Sequence, residues 1–90
     1  MNFEWDEAKA EANLEKHRLD FSDAVAIFAK PHLTDRSDRD GETRFVSVGD
    51  VAGLVIAVVW TPRQPDVGRV ISARRARREE REAYRQSFGR

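Results

Sequence analysis

Eight arginines fall between Arg69 and Arg90, behind a strand-like Arg69-Val70-Ile71-Ser72-Ala73-Arg74 and into a helical pattern that runs past Tyr84. Guanidinium is planar, forked and permanently charged, which suits it to bidentate contacts with phosphate or carboxylate. Arg74, Arg75, Arg77 and Arg78 crowd the first turns expected for this helix, and Glu79, Glu80 and Glu82 follow. The macrodipole favours the reverse order, each charge by about 0.3–1 kcal/mol. A local rule broken repeatedly without structural gain marks a candidate functional site. Period two along the strand puts Arg69, Ile71 and Ala73 on one face and Val70, Ser72 and Arg74 on the other. At least one arginine must then leave through an edge or occupy an open concave surface. On the helix, Arg77, Arg81 and Arg85 form a stripe at spacing four, with Glu80 three residues from Arg77 and Tyr84 three from Arg81. Arg75, Arg78, Glu79 and Glu82 read as a solvated face laced with ion pairs. Arg69, Arg74, Arg77, Arg81 and Tyr84 fit such a face and a site equally well.

Lys16-His17 is the second pair with chemical potential. Histidine exchanges protons near neutrality, yet both residues also suit a helix C-terminus as cations; on the residues alone, capping is the preferred reading. His32 follows Pro31 and reads as surface. Arg44 in a strand and Arg63 in a proline-flanked loop are isolated cations. Two histidines without an HxxxH spacing make no metal centre, and no Gly-rich phosphate loop or GxSxG elbow is present. Trp5, Trp60 and the phenylalanines read as core, with Phe45 the one aromatic suited to an open sheet face.

The elements that must position these groups fit one small domain over residues 1–90. Phe3 and Trp5 mark a first strand. Asp6 caps a helix from Glu7 to His17, with Trp5, Ala8 and Ala12 turned inward. A second helix over Ser22–Ala29 carries a stripe of Phe21, Val25 and Phe28, and Pro31 ends it. Four strands follow: Leu33–Arg36, Glu42–Val48, Leu54–Thr61 and Val67–Ala73. Leu54–Thr61, apolar throughout, is the expected central strand. Helices gathered at the N-terminal end and strands joined by short turns predict an α+β fold with an antiparallel sheet.

Composition narrows the partners. Zero cysteines exclude disulfides and thiolate chemistry. No segment is long and apolar enough for a membrane span, and the N-terminus lacks a signal-peptide pattern, so a cytoplasmic protein is expected. The zero net charge hides asymmetry: residues 1–40 hold 10 acids and 6 bases, and residues 41–90 hold 6 acids and 10 bases. That asymmetry suggests a nucleic-acid or acidic partner at the basic end. Thirteen of the 16 basic residues are arginine, which leans towards phosphate or carboxylate recognition, although a GC-rich genome enriches arginine too.

Four segments together resemble the BrnT family of toxins from bacterial type II toxin–antitoxin pairs. They are Phe3-Glu4-Trp5-Asp6-Glu7 with Lys9 and Asn13; Lys16-His17 with Leu19-Asp20-Phe21; Glu42-Thr43-Arg44 leading to Gly49; and Thr61-Pro62-Arg63 with Arg69–Arg74, Ala76, Glu80-Arg81 and Tyr84. The resemblance implies a RelE-like fold, RNA cleavage that slows translation, and a BrnA-type antitoxin with a ribbon-helix-helix part that binds promoter DNA as a complex. It also implies a ribonuclease without a metal or other cofactor. The family usually has glycine after Lys-His; here Arg18 stands there.

On that resemblance, Arg69 and Arg74 clamp the scissile phosphate. Arg44, Arg63, Arg77 and Arg81 contact neighbouring RNA, and Tyr84 stacks on a base or orients an arginine. Lys16 or His17 transfers the proton, with Glu80 a competing base. The competing class is a non-catalytic basic module that binds an acidic protein partner or nucleic acid.

Overall fold

Helix α1, Glu7–His17, starts at Asp6, whose carboxylate accepts from the Ala8 N–H at 2.9 Å. Its limits match the sequence expectation, but its inward face does not: Ala10 and Asn13 are buried, whereas Ala8 and Ala12 are exposed. The helix ends at Arg18 in the left-handed region, φ 60°, with its N–H donating to the Leu14 carbonyl. That is the conformation for which glycine is the unstrained residue. Asp20 caps a single turn, α2, Phe21–Ala24, and the chain then tightens into a 3-10 helix, Val25–Ala29. The one helix expected here is therefore two short pieces. Pro31, which cannot donate and restricts the residue before it, closes the second. Phe21, Ala24 and Ile27 are the buried residues, each large side chain contributing about 1.5–3 kcal/mol by leaving water.

The computed structural model describes residues 1–89. Five strands form one sheet: β1 Asn2–Glu4, β2 Leu33–Arg36, β3 Phe45–Val51, β4 Leu54–Gln64 and β5 Val67–Arg75, ordered β1-β5-β4-β3-β2. β4 is central, as its apolar run predicts. The sheet is antiparallel except at β1, which runs parallel to β5 beside Val67, Gly68 and Arg69. Gly68 is required there: a Cβ would lie 2.7 Å from the Phe3 ring and 2.8 Å from Trp60. Arg63 lies within β4, not in a loop. The α+β expectation thus holds, and no helix among the described residues is long and apolar enough to cross a membrane.

The two sheet faces have different work. One carries α1, α2 and the 3-10 helix over Ile56, Val58, Trp60, Val70 and Ala73, with Phe3, Trp5, Phe28 and Phe45 packed against them. Phe45 pairs with Trp60 at 5.0 Å between ring centroids, so it belongs to this core and not to the open face. The opposite face is covered where the last helix, α3, Arg78–Phe88, meets the sheet: Val48, Ala57 and Ala76 are buried there beside Val46, Val55 and Tyr84.

One irregularity decides where the arginines go. Val59 pairs with Ser72 but Trp60 pairs with Val70, so Ile71 is an extra residue in β5. Such a bulge resets the alternation. Val70 and Ala73 both face the main core, and Arg69, Ser72 and Arg74 share the open face with Thr61, Val59 and Ala57. Simple period two had separated Arg69 from Arg74; the bulge unites them on one side.

Candidate functional site

The open face forms a groove of about 710 Å³ beside α3. Val46, Val48 and Val59 make its apolar floor; Arg74, Arg77 and Glu80 line the side towards α3, and Asp35, Asp38, Arg39 and Arg44 come from β2, the turn after it and the entry to β3. Its size lies within the range of about 300–1,000 Å³ that holds small ligands. The elements are positioned by β3–β4–β5 pairing, which carries Arg44 at the entry to β3 and Arg74 near the end of β5.

Arg74 and Glu80 are the best-ordered pair by geometry. Nη1 and Nη2 of Arg74 donate to Oε1 and Oε2 of Glu80 at 2.8 and 3.0 Å, and Nη1 also donates to the Arg75 carbonyl at 3.2 Å. The Arg77 N–H donates to Glu80 Oε1 at 2.7 Å. Bonding to Arg74 holds the Glu80 carboxyl below its usual range, with the Arg77 N–H adding to the effect and burial opposing it. The same pair raises the Arg74 guanidinium. These contacts revise the charge order of α3. Arg74 and Arg75 belong to β5, Arg77 precedes the helix, and only Arg78 joins Glu79 and Glu80 in its first turn. Two acids in that turn agree with the macrodipole.

The remaining candidates divide among five places. Arg44 lines the groove and pairs with Glu42 at 2.7 Å. Arg69 lies on the same sheet face but turns to the β1 edge, where it meets Glu4 at 3.1 Å; Arg63 lies 4.0 Å from that carboxylate. Arg81 donates to the Ala76 carbonyl at 2.6 Å, which ties α3 to the end of β5. Tyr84 packs with the Val48, Ala57 and Ala76 cluster and lies 5.0 Å from the Phe88 ring.

Lys16 and His17 line a shallow depression with Lys9, Ala12, Asn13, Ile71 and Ser72. Ile71 and Ser72 line the large groove too, so the bulge of β5 is the partition between the two. Asn13 builds this junction. Beyond Arg69, β5 has no strand partner on its outer edge. There the Asn13 side chain takes a strand's place: its Oδ1 accepts from the Ala73 N–H at 3.1 Å and its Nδ2 donates to the Ala73 carbonyl at 2.9 Å. A third bond, from Nδ2 to the Leu19 carbonyl at 3.0 Å, fixes the turn after Lys16-His17. Helical spacing sets Asn13 with Lys9, Lys16 and His17, away from the residues expected to face inward; the structure buries it against the β5 edge. Its clue is a lone amide on the strand-facing side of a helix. Asp35, Asp38 and Arg39 carry no sequence signal for the site, because a polar strand end and turn give no sign of which groove they border.

Among the described residues, no three His, Asp or Glu side chains are grouped to hold a metal ion. No curated protein matches the chain. The chain is similar to the 1.1 Å crystal structure of the Brucella abortus ribonuclease toxin BrnT, at 31% identity and a TM-score of 0.67, over 87% of this chain and 99% of that one. The model of the family described as "Ribonuclease toxin, BrnT, of type II toxin-antitoxin system" matches residues 5–80. With that match running from the cap of α1 through Glu80, the chain belongs to the BrnT family of type II toxin–antitoxin ribonuclease toxins.

Proposed function

We propose that the groove binds RNA and that the chain is a metal-independent endoribonuclease of the RelE-like type, acting in the cytoplasm. The observation that carries this is that Arg44, Arg74 and Arg77 all line one groove with an apolar floor, in a family of ribonuclease toxins. Cleavage without a metal needs three services: a proton acceptor for the 2′-hydroxyl, cations for the pentavalent phosphorus, and a donor for the leaving 5′-oxygen. In this reading the 2′-oxygen loses its proton and bonds to phosphorus. The P–O5′ bond breaks, and the products are a 2′,3′-cyclic phosphate and a 5′-hydroxyl.

Arg74 takes the scissile phosphate, and Arg77 and Arg44 neutralise its flanks. Arg69 and Arg63, gathered at Glu4, guide the strand outside the groove. With the RNA laid over the Ile71–Ser72 edge that both cavities share, Lys16 or His17 takes the 2′-hydroxyl proton and returns a proton to the leaving 5′-oxygen. Arg81 and Tyr84 hold α3 in place, which accounts better for their bonds and packing than direct RNA contact does. The family implies an antitoxin partner; we propose a BrnA-like protein with a ribbon-helix-helix part, the complex binding promoter DNA.

Purified, antitoxin-free protein incubated with RNA in EDTA tests the proposal. Discrete products ending in cyclic phosphate are expected. RNA that stays intact but shifts on a gel would establish a binding module; cleavage that appears only when a divalent metal is restored would remove the metal-independent step.

A further inference from the structure

Arg74 offers two edges for a bidentate ligand: the end edge, Nη1 with Nη2, and the side edge, Nε with Nη2. Glu80 occupies the end edge through both oxygens, at 2.8 and 3.0 Å. The Arg75 carbonyl takes a further Nη1 hydrogen. Among the described residues, Nε and the second Nη2 hydrogen of Arg74 have no partner, although the side chain is only 18% exposed. Its unused donors therefore belong to one edge, on a residue that lines the groove.

We infer that Glu80 is a positioning residue, not the general base, and that it locks Arg74 so that the Nε–Nη2 edge is presented to the scissile phosphate. The inference rests on the reading of the groove as an RNA site. Three features support it. Glu80 already accepts three hydrogen bonds, two from Arg74 and one from the Arg77 N–H, which leaves little basicity for a substrate proton. Its carboxyl is held below its ordinary range chiefly by Arg74, so a proton taken there would be weakly held. The Arg77 N–H also ties the same carboxylate to the start of α3, so Arg74 is fixed to strand and helix together. A preorganised guanidinium loses less freedom when phosphate arrives than one that must be recruited from solvent.

The test uses Glu80→Gln in the full-length protein. Glutamine retains an acceptor for the Arg77 N–H and one bond to Arg74 but cannot grip both Nη groups. Two measurements are paired: kcat and KM for RNA across pH, and the ¹⁵N–¹H signal of Arg74 Nε during titration with an RNA oligonucleotide blocked by 2′-O-methylation. The positioning role predicts a roughly tenfold loss of activity, the scale of one charged hydrogen bond, with the acidic limb of the kcat profile retained. It also predicts that the Nε signal shifts on oligonucleotide binding in the parent and that the shift is weakened in Glu80→Gln. Loss of the acidic limb with a drop of about 10²–10⁴ would make Glu80 the base and overturn the inference. So would an Nε signal indifferent to oligonucleotide in the parent. The second measurement needs no cleavage, so failure of the ribonuclease reading remains distinguishable from failure of this one. Glu80→Asp, which keeps the charge but shortens the reach, should lie below Glu80→Gln in activity if geometry governs and above it if proton acceptance does.

Discussion

Replacing Arg74 with alanine is expected to abolish growth inhibition while leaving the protein folded and abundant, because its side chain lines the groove and contributes little to either core. Lysine at that position should restore only part of the activity, since it keeps the charge and loses the fork. A fully toxic Arg74→Ala protein would remove this residue from the site. Arg18 invites the opposite experiment. It holds φ 60° without being glycine, so Arg18→Gly should stabilise the fold by about 0.5–1 kcal/mol, the left-handed strain less glycine's greater unfolded freedom. A higher melting temperature with unchanged RNA cleavage would show that Arg18 serves only the turn; a loss of cleavage would add it to the cations beside His17. At this scale the sequence was informative where residue type carries the meaning. Arginine spacing marked Arg74 and Arg77, and the Lys16-His17 pair stood out. The partner of each charge was not legible, because Glu4–Arg69 is a contact between strands remote in the chain.

Between residues and the whole, Asn13 and the β5 bulge set how elements meet. Asn13→Ala leaves the buried N–H and carbonyl of Ala73 without partners, which should cost about 1–3 kcal/mol for each group left unsatisfied. Thermal denaturation checks it, and RNA cleavage should fall with it as the α1 end drifts from Ser72. Lys16→Ala and His17→Ala separate capping from catalysis at this same end: a lost cap cation costs about 0.3–1 kcal/mol, whereas a lost acid or base costs about 10²–10⁴ in rate. Small losses in melting temperature with parental cleavage would leave capping as the whole role. The docking of α3 should also show in acid. Glu80 has a lowered carboxyl pKa in the folded state, so its contribution is complete above its unfolded value and fades as pH falls through the folded one. Glu80→Gln should flatten the decline in stability below about pH 4.5 relative to the parent; identical acid profiles would show that the pair does not hold α3. The limits of α1 were readable because Asp6 is an explicit cap. The bulge was not, since nothing in Val70-Ile71-Ser72 distinguishes an inserted residue from regular alternation, and it alone decides which arginines share a face. The start of α3 was misplaced by the run Arg74–Arg78, where strand and helix residues carry the same side chain.

Across the whole molecule, the basic half and the acidic half of the chain are folded into each other. Glu4 meets Arg63 and Arg69, and Asp35 and Asp38 share the groove with Arg74. Arg44, Arg63, Arg69 and Arg74 are already paired with carboxylates, so RNA binding should depend on salt far less than eight C-terminal arginines suggest. Two or three phosphates displacing counterions from a single strand give a slope near −1.4 to −2.1 in log K against log salt, at about −0.7 per phosphate; a slope steeper than about −4 would mean that the ion pairs open on binding. The same charge layout constrains the antitoxin. An inhibitor that relies on net charge alone meets an overall neutral protein, so it must enter the groove and satisfy Arg74 and Arg77 individually with carboxylates or backbone carbonyls. In the complex both residues, with Arg44, should lose solvent access, and an antitoxin segment stripped of its acids should bind more slowly and release the ribonuclease activity. A complex structure with Arg74 and Arg77 open to solvent and the toxin still silent would show that inhibition works at a distance from the groove, by distortion of the sheet or by blocking the approach of the RNA.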